Sequence, residues 1–321
     1  MTQIRVPAYD GAGTDRTVLP ESSAKMIRHD FASFAGVRLH YAAAGTGELI
    51  LFAHGFPEFW YAWRKQLVEF SQTHLVVAPD LRGYNLSSKP KPVEEYAMDR
   101  LVGDVRALAA HFAVAPPRKF TLVGHDWGGF IAWMFALAYP EWLDRLIIIN
   151  APHPVIFNRE LSRNPAQQKA SRYIQVFRSA VAEWTLSAMD YAALVQTVLA
   201  DGLRRGYFSE EDKKAYMNAW AQPGALTGGL NYYRAASLTK PDAALQPSAV
   251  MPEISSWIVR VPTLVLWGMR DSYLLPGNLE GLGEFVPNLQ IERFPHSTHW
   301  IVHEMPQAVN ASIRKFLDST A

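Results

Sequence analysis

The chain alternates between short, uninterrupted apolar runs and longer stretches whose apolar positions recur every three or four residues. Glu48–Ala53, His74–Ala78, Phe120–Val123, Leu146–Asn150 and Thr263–Trp267 are of the first kind, the pattern of strands covered on both faces. Tyr61–Phe70 and Met98–Phe112 are of the second kind; the latter carries Leu101, Val105, Leu108, His111 and Phe112 along one helical face. Phe130–Ala138 is apolar all round, which predicts a buried helix. Ahead of these, Arg28–Phe34 and Val37–Ala43 are separated by Ala35-Gly36 and predict an edge hairpin. Strands alternating with helices in this way predict an α/β protein, its mostly parallel sheet covered by helices on both faces.

After Asn150-Ala-Pro152 the rhythm changes. Helical segments follow at Pro165–Arg178, Ala182–Leu199, Ser209–Ala221 and Gly229–Ser237, and Pro241–Pro252 reads as a proline-dotted return. Strand character resumes only at Thr263–Trp267 and Gln290–Phe294, before a closing helix at Ala308–Leu317. The expected organisation is an irregular arm (1–24), a core in two pieces (25–152 and 256–321) and a helical lid (153–255) inserted after the sixth strand. Such an insertion would stand over the carboxyl ends of the strands, where open α/β sheets bind ligands.

Composition narrows the function classes. Of 321 residues, 49% are hydrophobic, enough for a large core, and net charge is +1 without a basic run. That balance argues against a nucleic-acid partner. There is no cysteine, which removes disulfides, thiolate nucleophiles and cysteine metal sites and suits a reducing cytoplasm. No apolar run is long enough to span a bilayer, and Met1–Ala24 has no hydrophobic signal core. A soluble cytoplasmic protein is expected, monomer or homodimer.

The candidate chemistry centres on Gly124-His125-Asp126-Trp127-Gly128, between the Phe120–Val123 strand and the buried helix. It matches the Gly-x-nucleophile-x-Gly elbow with Asp as nucleophile. Flanking glycines allow so tight a turn, and the following helix N-terminus favours negative charge. A glycine-rich turn with an Asp cap is the bland alternative. Asp271 and His299 follow the last two predicted strands, so the order is nucleophile, acid, base, as expected for such hydrolases. Of His296, His299 and His303 in this stretch, the resemblance given below implies His299 as the base, with His296 the fallback. His54-Gly55-Phe56-Pro57 can aim the Phe56 backbone N–H at the same point as that of Trp127, forming an oxyanion hole. His54, Pro57, Phe177 and Trp300 are expected to line the substrate pocket.

With His54-Gly-Phe-Pro-Glu58, Asp80-Leu-Arg-Gly-Tyr84, the Asp126 elbow, Asp271 and His299-Trp300, the chain resembles the α/β-hydrolase superfamily, and within it the epoxide hydrolases. Tyr173-Ile-Gln-Val-Phe177 and Asn231-Tyr232-Tyr233-Arg234 are similar to that family's two lid-tyrosine segments, which implies proton-donating roles for Tyr173 and Tyr233. Asn85 departs from the pattern, since the family often has a glycine there. The resemblance implies hydrolysis of a small apolar epoxide by water through an ester of Asp126, with no metal or organic cofactor. His299 would then lose activity as it protonates, with a midpoint near neutrality or below. The rivals are a haloalkane or haloacid dehalogenase using the same nucleophile, with the Trp127 indole as halide donor, and a non-catalytic ligand-binding hydrolase fold.

Overall fold

The computed structural model describes residues 27–236 and 256–319. The expected arm at 1–24 and the return at Pro241–Pro252 lie outside the described residues. Eight strands form one sheet: β1 (Arg28–Phe34), β2 (Val37–Ala44), β3 (Leu49–Ala53), β4 (Leu75–Pro79), β5 (Phe120–His125), β6 (Leu143–Ile149), β7 (Thr263–Gly268) and β8 (Leu289–Phe294). Their spatial order is β1-β2-β4-β3-β5-β6-β7-β8. β2 runs antiparallel to β1 and β4, and every later pairing is parallel. The uninterrupted apolar runs are the interior strands: β3, β5 and β7 are buried at every position, whereas the outer β8 is largely half-buried or exposed.

Helices α1 (Arg64–Phe70), α2 (Met98–His111) and α3 (Trp127–Ala138) cover the sheet. The all-round apolar α3 packs against β3, β5 and β6 and is almost wholly buried, as its composition requires. Because β4 and β5 lie on opposite sides of β3, the chain reverses direction across the sheet at β3. The crevice at the carboxyl ends of β3 and β5 is therefore the topological switch point.

Between β6 and β7 the described residues form helices joined by turns, with no strand: α4 (Pro154–Arg163), α5 (Pro165–Ala170), α6 (Tyr173–Arg178), α7 (Ala182–Leu194), a π turn at Val195–Leu199, α8 (Ala200–Arg205), α9 (Glu210–Trp220) and α10 (Ala225–Ala235). α7 is not continuous: Met189, Asp190 and Tyr191 take left-handed backbone angles. Ser209 starts α9 with a reciprocal capping box to Asp212, which fits the acidic first turn seen in the sequence.

Buried polar contacts pin this helical layer to the core. Asp212 accepts from the Tyr61 hydroxyl (2.9 Å) and pairs with Arg64 (2.9 Å). The Trp220 indole donates to the Pro57 carbonyl (2.6 Å), and the Tyr232 hydroxyl to that of Arg82 (2.8 Å). α10 comes so near the Asp80–Tyr84 loop that a Cβ on Gly228 would lie 2.3 Å from the Gly83 carbonyl oxygen. Only glycines permit that approach, and it sets the height of Tyr233 above the sheet. Asn85, in the same loop, has φ 37, the left-handed conformation glycine prefers and asparagine tolerates. Its amide donates to Asp80 (2.8 Å), which holds the turn.

Two further histidine contacts secure this sheet end. His54 is wholly buried; one ring nitrogen contacts the Gly55 carbonyl (2.9 Å) and the other accepts from the Leu81 N–H (3.0 Å).

Candidate active site

Four strand ends deliver the site: Phe56 follows β3, Asp126 follows β5, Asp271 follows β7 and His299 follows β8. Asp126 has φ 50 and ψ −121, a strained backbone of the kind that costs about 1–3 kcal/mol and persists where the surroundings over-determine it. Here the surroundings are β5 and the buried α3. The Phe56 N–H donates to Asp126 Oδ1 at 2.8 Å. A Cβ on the preceding Gly55 would lie 2.3 Å from that carboxylate, so the loop reaches Asp126 only because the residue is glycine. The first intrahelical bond of α3 runs from Phe130 N–H to the Asp126 carbonyl. The Trp127 N–H therefore belongs to the first turn, whose donors have no partner within the helix.

Asp126 Oδ2 faces His299 Nε2 at 3.6 Å, and His299 Nδ1 donates to Asp271 Oδ2 at 2.7 Å. Asp271 is held in turn by the Tyr273 and Leu274 N–H groups (2.8 and 2.9 Å) on Oδ1 and by the Asn150 amide (2.7 Å) on Oδ2. Asn150 also accepts from the Gly268 N–H (2.9 Å), so it ties the end of β6 to the end of β7. Burial alone would depress the His299 pKa. The Asp271 charge and hydrogen bond, with smaller help from Asp126 and Glu58, outweigh burial and raise it to about 9. That is above the near-neutral value expected from the sequence, because two carboxylates face the ring. His296 makes none of these contacts.

Tyr173 on α6 and Tyr233 on α10 hang from the lid over Asp126, their ring centroids 6.1 Å apart. Burial first, and then the Asp126 charge, push both hydroxyls well above the usual tyrosine range, which keeps them protonated donors. The Trp127 indole hydrogen-bonds the Tyr233 side chain. Indole is a donor only, so the Tyr233 oxygen accepts and its proton stays free to point elsewhere.

Asp126, Tyr173 and Tyr233 line two cavity lobes. The larger, about 200 Å³, takes in Phe56, Pro57, Phe177, Tyr273, His299 and Trp300. The smaller, about 40 Å³, takes in Trp127, Phe130, Phe157, Ile174 and Leu274. Of the expected pocket residues, Pro57, Phe177 and Trp300 line the larger lobe. His54 lines neither, because both its ring nitrogens are committed to the backbone contacts described above.

Sequence reasoning passed over Glu58. It lies wholly buried behind the site, accepting from His303 Nε2 (2.5 Å) and the Tyr216 hydroxyl of the lid (2.8 Å). His125 bridges Glu58 Oε2 (3.2 Å) and the His299 carbonyl (2.9 Å). Burial would raise the Glu58 carboxyl, but His303 and His125 hold it well below its ordinary range. One carboxylate thus joins the His54–Glu58 loop, the Asp126 turn, the His299 loop and the lid. The motif His54-Gly-Phe-Pro-Glu58 was the available signal. Among the described residues, no group of three or more His, Asp or Glu side chains could hold a metal ion, and no helix is long and apolar enough to cross a membrane.

Comparison with known proteins bears on the fold and the family. Residues 48–306 match the family described as "alpha/beta hydrolase fold". The chain is 38% identical over 296 residues to the AB hydrolase superfamily protein YfhM of Bacillus subtilis, covering 91% of this chain and 98% of that one. It is 38% identical to Epoxide hydrolase 4 of Mus musculus, covering 88% and 77%. The crystal structure of a Bacillus megaterium epoxide hydrolase in complex with an inhibitor superposes with a TM-score of 0.83 at 39% identity, over 90% of this chain and 100% of that one. The chain belongs to the α/β-hydrolase family and, within it, is similar to the epoxide hydrolases.

Proposed function

We propose that the protein hydrolyses an apolar epoxide to a vicinal diol through an ester of Asp126. The observation that carries this reading is the pair of protonated lid tyrosines opposite a carboxylate whose Oδ1 is engaged by the Phe56 N–H. With Oδ1 engaged, Oδ2 is the attacking oxygen. It forms a bond to one ring carbon as that carbon's bond to the ring oxygen breaks, and Tyr173 or Tyr233 protonates the departing alkoxide. General-acid help of this kind is worth roughly 10²–10⁴ in rate. His299, oriented by Asp271, then takes a proton from water, and the hydroxide adds to the ester carbon. The resulting oxyanion is received by the Phe56 and Trp127 N–H groups. Collapse expels the second alkoxide, which takes the proton from His299, while the regenerated carboxyl returns a proton to the tyrosine. The sum is epoxide plus water giving diol.

Burial of charge works with this sequence. Once Asp126 is esterified, one of the charges raising His299 is gone, and the ring becomes a competent neutral base. The dehalogenase reading needs the Trp127 indole for a halide, and that N–H is already directed to Tyr233. Phe56 supplies only its backbone donor. A single turnover of excess enzyme with styrene oxide in ¹⁸O-water tests the proposal. The first diol should contain ordinary oxygen and the Asp126 carboxylate should gain the label; label in the first diol refutes the ester pathway.

A further inference from the structure

Gln167 on α5 is wholly buried where the lid meets the loop that follows β7. Its side-chain Nε2 donates to the Ser171 hydroxyl (2.9 Å) and the Tyr273 carbonyl (2.7 Å). Its Oε1 accepts from the Leu275 N–H (2.9 Å) and the Asn278 amide (2.9 Å). A carbonyl only accepts and a backbone N–H only donates, so Tyr273 and Leu275 fix which way the Gln167 amide faces. Both N–H donors and both lone pairs of the amide are used. A buried polar network satisfied in this way holds its members rigidly, and removing one member leaves the others unpaired.

Two branches leave this amide. One runs to the base: Asp271 Oδ1 accepts from the Tyr273 and Leu274 N–H groups, and the next N–H along the turn, that of Leu275, goes to Gln167. Asn278 closes the same turn by donating to the Leu275 carbonyl (2.9 Å). The other branch runs to the lid acid. Ser171 ends α5, and its carbonyl accepts from the Ile174 N–H (3.1 Å) in the turn that leads into α6 at Tyr173. The branches meet at Tyr273, whose ring stands edge-on to Tyr173 (centroids 5.5 Å apart) and to His299 (5.5 Å).

Resting on the epoxide-opening reading above, we infer that Gln167 is a positioning residue that keeps the Tyr173 acid and the Asp271–His299 pair in one register. It lines neither cavity lobe and acts through the groups it holds. One side chain then governs both formation and breakdown of the Asp126 ester. Misplacing a reacting group by about 1 Å costs on the order of a hundredfold in rate, so loss of this register is felt in both steps.

Gln167→Met conserves the length and bulk of the side chain and deletes its hydrogen bonds. Excess enzyme is mixed with styrene oxide and quenched at intervals; the ester, read by intact mass, and the diol together give the two rate constants. In Gln167→Met both should fall, each by roughly ten- to a hundredfold. A merely structural role would lower the fraction of enzyme that reacts and leave both rate constants unchanged, which overturns the proposal. A fall in only one of them also overturns it. Ser171→Ala and Asn278→Ala cut one branch each and leave Gln167 in place, so they decide the matter if Gln167→Met does not fold. Ser171→Ala should slow ester formation with breakdown within about twofold of wild type, and Asn278→Ala the reverse. Two branch variants with indistinguishable profiles overturn the proposal. Wild-type protein that forms no ester overturns the reading of the site as well, whereas a normal wild-type ester with unchanged Gln167→Met rate constants overturns the role of Gln167 alone.

Discussion

Replacing Asp126 by Asn removes the charge that faces His299 and keeps the size of the side chain, so it imitates the uncharged ester. Nε2 and Oδ2 are 3.6 Å apart. At that separation two unit charges interact by about 1.2 kcal/mol in water and by about 4.6 kcal/mol at an effective dielectric constant of about 20. The Asp126 side chain is 13% exposed, so screening keeps the effect in the lower half of that range. About 1.5–3 kcal/mol remains, which lowers the pKa by about one to two. Asp271, the larger contributor to the elevation, is untouched. His299 titrates at about 9 with Asp126 charged. In Asp126→Asn it should therefore titrate at about 7–8. NMR titration of ¹⁵N-labelled imidazoles measures this directly, with His299 assigned by its loss in His299→Gln. An unchanged or higher pKa in Asp126→Asn refutes the claim that the nucleophile's charge sets the protonation of the base. The kinetic corollary is that deacylation rises with pH around a midpoint below that of the resting imidazole.

Tyr173→Phe and Tyr233→Phe should each slow ester formation roughly ten- to a thousandfold, and the double variant should abolish epoxide opening while remaining folded, because no core cavity is made. Stopped-flow quenching of Trp127 fluorescence reports the step, and wild-type rates in the double variant would remove the tyrosines from the mechanism. Asn150→Ala leaves the buried Gly268 N–H without its acceptor and deprives Asp271 of one donor. Calorimetry should register a loss of about 1–3 kcal/mol, together with slower deacylation; an unaltered protein would mean that Asn150 is not the tie between β6 and β7.

The strands were legible because two-sided burial leaves short apolar runs bounded by turn residues, and Asp126, Asp271 and His299 lie just past the ends of three of them. Leu146–Asn150 marks the buried end of β6, whose start at Leu143 is cut off from that run by the exposed Asp144 and half-buried Arg145. The lid was harder. Pro165–Arg178 looks like one helix, yet it divides into α5 and α6, and α4 begins at Pro154, a residue easily mistaken for a breaker although the first helical turn tolerates it. Both outcomes depend on packing against the core, since short lid helices carry weak periodicity. Tyr173 and Tyr233 were reached through their resemblance to a family pattern; nothing in helical spacing singles out a tyrosine. Glu58 was illegible for another reason: its partner His303 is 245 positions away, and only the folded chain brings the two together.

In the proposed reaction the lid carries the acids and the sheet carries the nucleophile. The reagent is thus split between two bodies, and it exists only while the seam between them is shut. A molecule whose lid had worked loose would keep a well-made triad and lose the power to discharge it, since an alkoxide without a proton donor closes back to the ring. The pins at Asp212, Trp220 and Tyr232 therefore govern reactivity as much as stability. On gentle heating the ability to open epoxides should fade before the sheet melts, and cooling should restore it as the two halves re-engage.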